Sequence, residues 1–150
     1  MIVISQDRMY DTVLVKERAL LVGIDRGDRL WPIEESLNEL ARLTDTAGAE
    51  VVATAMQKLD TPHPRTFVGS GKALEIADLA HDEKIDVVIF DDELTPSQQS
   101  NLENILKVDK VIDRTALILD IFALHALSRE GLLQVRLAQN KYLLPRLRGM

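Results

Sequence analysis

With 150 residues, 46% of them hydrophobic, the chain can bury a full core, which argues against disorder and makes one compact domain with a protruding element the expectation. It contains no cysteine, so a disulfide framework and a thiolate metal site are both excluded, as suits a reducing, cytoplasmic setting. The net charge of −6 conceals a division: residues 128–150 hold five basic side chains against Glu130 alone, a surplus of +4, and the rest of the chain carries −10.

The opening MIVISQDRMYDTVLVKE has only a four-residue apolar run, too short for the core of a signal peptide. No later stretch approaches membrane-spanning length. ALLVGI (19–24), VVATA (51–55), DVVIF (86–90) and the shorter KVI (110–112) are apolar, β-branched runs without polar alternation. Strands buried on both faces read this way, so a parallel sheet is expected. The first helix follows ALLVGI. Ile33, Leu37, Leu40 and Ala41 recur at helical spacing, Pro32, Glu34 and Glu35 suit its first turn, and Gly48 suits its end.

LDTPHPRT (59–66) reads as linker, held extended by Pro62 and Pro64. FVGSGKALEI (67–76) then puts two glycines and a lysine at the start of a helix. A P-loop needs G-x-x-x-x-G-K-[ST], and aligning Gly71 and Lys72 to it leaves Thr66 at the first glycine and Ala73 at the magnesium-binding hydroxyl. Both ends of the motif fail. What remains is a turn over Gly69, Ser70, Gly71 and Lys72 that Ser70 could cap, with free backbone N–H groups suited to an anion.

Thr95-Pro96-Ser97-Gln98 reads as a capping box with proline at the first helical position, and Leu102, Ile105 and Leu106 give that helix its buried side. TALILDIFALHAL (115–127) is apolar around most of its circumference and must be covered on more than one side. SREGLLQVRLAQNKYLLP begins a last helix, with Leu133, Leu137 and Leu144 on one face and Arg136 and Lys141 on another. Pro145 marks where it bends or stops.

These elements predict an α/β fold: an open, mainly parallel four-stranded sheet in the order 2-1-3-4, helices on both faces, then the start of a projecting helical hairpin. The expected division is an α/β subdomain over 1–127 and a first, truncated helical arm over 128–150. Asp25, Asp91, Asp92 and Asp113 fall at the carboxyl ends of strands, where open α/β sheets keep their sites. Carboxylates there could hold magnesium, with Asp91 and Asp92 the candidates. Against this, Asp113 can cap the next helix and Asp91-Asp92-Glu93 can be a solvated loop. His63, His81 and His125 share no ligand spacing, and no nucleophile–base pair can be named. No catalytic set or metal site is therefore assigned.

SLNELARLTDTAGAEVV, FVGSGKALEI, VVIFDDELTPSQQSNLE and KVIDRTALILDIFALHALSREGLLQVRLAQNKYLLPRL, in this order, resemble the N-terminal domain of the HflX family of ribosome-associated GTPases. The similarity runs from about Arg18 onward. It implies an α/β subdomain, a long helical hairpin and then a P-loop GTPase domain, which binds GTP and magnesium and is absent from this chain. The implied partners are the large ribosomal subunit with its RNA, and the protein's own GTPase domain. The implied role is splitting or rescue of stalled ribosomes, especially under stress. The chain departs from the family pattern at Arg136, where glutamate is usual, at Asn140, where an apolar residue is usual, and around Leu124, His125 and Leu127, which are less basic than is typical.

The charge division fits this reading, because basic residues on an RNA-approaching arm gain affinity through phosphate contacts and counterion release. The expected RNA-binding residues are Arg129, Arg136, Lys141, Arg146 and Arg148, with Lys72 a lesser candidate. Self-association through Leu143, Leu144 and Leu147 is a further expectation. The alternative is a small nucleotide- or magnesium-binding domain using the strand-end carboxylates and the turn at 69–72.

Overall fold

A computed structural model describes residues 15–28 and 30–148 of the chain, so most of the N-terminal run weighed as a signal lies outside the described residues. Four parallel strands, β1 (Arg18–Asp25), β2 (Glu50–Lys58), β3 (Val87–Phe90) and β4 (Lys110–Asp113), form one sheet in the order β2-β1-β3-β4. The expected order is the observed one. In register, Leu20 lies between Ala53 and Val88, and Val22 between Ala55 and Phe90.

Helices α1 (Ile33–Thr46), α2 (Ser70–Asp82), α3 (Pro96–Leu106), α4 (Arg114–His125) and α5 (Arg129–Arg148) alternate with and follow the strands. Strand alternation divides the core between the two faces of the sheet. Leu20, Val22, Ile24, Val88, Phe90 and Val111 face α2 and α3, packing on Ile76, Ala80, Leu102 and Leu106. Ala19, Leu21, Val87, Ile89 and Ile112 face α1 and α4, packing on Leu37, Leu40, Ala116 and Leu117. Gly23 lets α1 lie close on β1, since a Cβ there would stand 3.1 Å from both Ile33 and Leu37. At the other end of α1, Gly48 takes φ +94°, the left-handed conformation that stops a helix.

The capping box at the start of α3 is present in full: the Gln98 amide donates to Thr95 Oγ1 at 3.1 Å, and the Thr95 amide donates to Gln98 Oε1 at 2.9 Å. Asp113 caps α4 by accepting from the Ala116 amide at 3.0 Å. Ser70, expected to cap α2, is instead its first helical residue. Gly69 holds the cap position without any side-chain bond, and its own amide donates to Gln57 Oε1 at 2.9 Å.

The stretch expected to be an extended linker is a compact turn. His63 and Phe67 exchange two backbone hydrogen bonds of 2.9 Å, and Gln98 Nε2 donates to the His63 carbonyl. Phe67 is held at φ 65° with its ring buried edge-on to Phe90, 5.6 Å between centroids. A bulky side chain rarely adopts that backbone conformation, so burial of the ring holds it there.

Helix α5 turns back along α4 to form a hairpin pair. Gln139 reaches Asp120, Arg146 reaches Asp113, and Tyr142 enters the core between them. Pro145, expected to bend or stop this helix, is passed without a break. It removes one hydrogen bond near the helix end, while the Arg146 side chain ties the last turns to the body.

Candidate nucleic-acid interface

Arg129, Arg136 and Lys141 stand exposed on α5, and among the described residues none of the three makes an ion pair. At about 100° per residue, Arg129 and Arg136 fall on one line of the helix and Lys141 roughly 120° to 140° away. Between them runs an apolar stripe of Leu133, Leu137, Leu144 and Leu147, each more than half exposed. Leu143, grouped with the exposed leucines from sequence, is half-buried against the core instead.

Arg146 faces inward. Its side chain is 11% exposed, its Nε donates to Gln99 Oε1 at 2.9 Å and its Nη1 to the Tyr142 carbonyl at 3.0 Å. Nη2 donates to the Leu94 carbonyl and lies 3.7 Å from Asp113 Oδ2, and the guanidinium stands 3.7 Å over the Tyr142 ring. A guanidinium so occupied fastens α5 to the sheet edge and has no face left for a phosphate. The Arg148 side chain lies outside the described residues. Lys72 is on the far side of the sheet, on α2, 3.3 Å from Glu75.

The strand-end carboxylates have other partners. Buried Asp91 receives Ser36 Oγ at 2.6 Å and Arg114 Nη2 at 2.5 Å, and Arg114 also reaches Glu39 at 3.0 Å and the Ser36 carbonyl at 3.1 Å. Burial pulls the Arg114 guanidinium down, but Asp91 and then Glu39 outweigh it, so its affinity for the proton is raised. Asp92 faces Arg26 at 3.4 Å, and Asp25 accepts from the Gly27 amide at 3.0 Å. Asp113, fully buried, receives the Leu94 and Ala116 amides. Among the described residues no three histidine or carboxylate side chains converge as a metal site would require. Ser36 and Arg114, which close this edge, carry no sequence signal of that role. Both lie in segments that carry the family resemblance, but nothing in their spacing pairs them with Asp91, and only the fold brings them within reach of it.

Sequence reasoning also passed over Asp120. It is the one carboxylate in the apolar helix 115–127, which was a legible signal. The structure buries it to 1% exposure. Burial raises its carboxyl from the ordinary 3.8 to about 6, against a hydrogen bond from Gln139 Nε2 at 3.2 Å. The neighbouring Tyr142 hydroxyl is raised as well, first by burial and then by the Asp113 carboxylate, and no group stands in hydrogen-bond geometry to it.

Residues 34–123 match the model of the GTP-binding GTPase N-terminal family. The chain is similar to the GTPase HflX of Caldanaerobacter subterraneus, 48% identical over 96% of this chain and 33% of that protein. It is similar to the GTPase HflX of Escherichia coli, 47% identical over 93% of this chain and 32% of that protein. The chain thus spans about a third of the length of these curated relatives. Among solved structures it is similar to a GTP-binding protein of Sulfolobus solfataricus in complex with GDP, at 30% identity and a TM-score of 0.66, over 89% of this chain and 39% of that one. In this comparison too the likeness takes in most of this chain and well under half of the other.

Proposed function

The chain belongs to the GTP-binding GTPase N-terminal family, as an N-terminal HflX domain, and from that premise we propose that it is a non-catalytic module that docks a GTP-binding protein on the large ribosomal subunit. In this reading GTP and magnesium belong to the GTPase domain of the full-length protein, which is also a partner of this module. The full-length protein then acts in the cytoplasm in splitting or rescue of stalled ribosomes, with a place in the stress response.

The observation that carries the reading is the set Arg129, Arg136 and Lys141. Three exposed cations without ion-pair partners among the described residues stand on one helix of an otherwise acidic chain. RNA phosphates would be drawn to that helix and repelled by the rest. Arg148 extends the set, Lys72 is a separate and lesser contact, and Arg146 supports the helix from behind.

Co-sedimentation of the chain with purified large ribosomal subunits over a range of salt tests this. Pelleting is expected at low salt and should fall steeply as salt rises. Replacing Arg129, Arg136 and Lys141 by glutamine should weaken it and flatten the slope of log affinity against log salt by roughly 2 to 3, about 0.7 to 0.9 for each phosphate no longer neutralised. Pelleting that ignores both salt and the triple replacement would overturn the proposal.

A further inference from the structure

We propose that the cleft between α4 and α5 is a binding site for an alkylammonium group, with Asp120 as its counter-ion. The cleft has a volume of about 390 Å³, within the rough 300–1,000 Å³ range of small-ligand pockets. Leu119, Ala123, Leu124, Leu132 and Leu143 give it apolar walls, and Asp120 stands in its lining. One Asp120 oxygen takes the Gln139 amide. The other, Oδ2, is buried with no hydrogen-bond partner.

A buried carboxylate oxygen left unpaired is costly, and the loss is recovered when a donor, best of all a cationic one, reaches it. Among the described residues the available cations do not do so. Lys110 acts on Asp120 only at a distance, its ammonium lying 3.0 Å from Glu17. Arg136 lines the mouth but is exposed and makes no ion pair among the described residues. Tyr142 offers a neutral hydroxyl from the same lining. An ammonium on a short methylene stem matches what is left: apolar walls for the stem and a free oxygen for the head. A lysine side chain of a docked polypeptide and a free polyamine both carry that chemistry.

The test uses the isotopically labelled chain at neutral pH, titrated with n-butylammonium chloride and, separately, with 1-butanol. n-Butylammonium is expected to shift the Asp120 carboxyl carbon and the amides of Leu119, Gln139 and Leu143 saturably, and 1-butanol to leave the carboxyl carbon in place. Asp120→Asn should weaken n-butylammonium binding by about tenfold or more, as expected when a charge-assisted bond is removed from a desolvated site. Arg136→Gln, which removes a competing cation from the mouth, should strengthen it. Leu132→Trp, which fills the cleft and leaves Asp120 intact, should abolish it, and this keeps the test decisive if Asp120→Asn does not fold.

Absence of a saturable shift, equal response to 1-butanol, or unchanged binding in Asp120→Asn would each overturn the proposal. Spermidine and a capped Ala-Lys-Ala peptide then separate the two sources. Tighter binding of either one sustains the site and assigns its occupant. Ribosome pelleting is read independently, so failure of one proposal does not carry over to the other.

Discussion

Asp120 shows how much one side chain can govern. Its folded-state carboxyl is raised to about 6 from 3.8, so between those values the folded chain holds a proton that the unfolded chain has released. The stability this contributes is complete below about 3.8 and lost as pH rises through about 6. Asp120→Asn removes the titration and keeps an acceptor for Gln139. The variant should therefore gain on the parent between pH 4 and pH 7.5, by roughly 3 kcal/mol at most. Urea unfolding midpoints at the two pH values measure it. An equal difference at both would mean that the carboxyl does not titrate in this range.

At the scale of elements, α5 is held by its two ends in different ways. Toward its start it lines clefts against α4, whereas at its end Tyr142 is in the core and Arg146 joins Gln99, the Leu94 carbonyl and Asp113. Arg146→Gln leaves those buried acceptors short of a donor, at a cost of about 2 kcal/mol. Amides of residues 139–148 should exchange faster with solvent, with β1 and β3 less affected because their own core is untouched. Slowed or unchanged exchange over 139–148 would refute the fastening role. The sequence made the basic character of this helix plain. It could not separate Arg146 from Arg136, because helical spacing gives the angle of a side chain and says nothing of which neighbour lies beneath it.

At the scale of the molecule, the leucine stripe of α5 is an apolar surface that nothing among the described residues covers. Leu133, Leu137, Leu144 and Leu147 fall within an arc of roughly 80°, bordered by Arg129 and Arg136 on one side and Lys141 on the other. A stripe of this kind is covered by another surface in most proteins, so the chain by itself should self-associate as its concentration rises. Sedimentation velocity should show a concentration-dependent shift that disappears when the four leucines become glutamine. A parent chain that sediments as a monomer throughout would show that the stripe tolerates water.

The sequence by itself determined the parallel sheet, the start of α3 and the end of α1. Each rests on a local signal: runs of β-branched residues without alternation, the Thr95–Gln98 capping box, and a glycine free to take positive φ at position 48. Family membership was legible for a related reason, since it lies in the order of whole segments. The tertiary structure alone decided that Pro145 lies inside a helix, that 59–66 is a turn, that Arg146 faces inward and that Asp120 has a free oxygen. All four depend on partners far away in sequence. Burial of Phe67 against Phe90 fixes the turn, and the meeting of α5 with α3 and α4 fixes the rest. Whether a polar group is satisfied is a property of the assembled neighbourhood, and no spacing of residues along a chain encodes it.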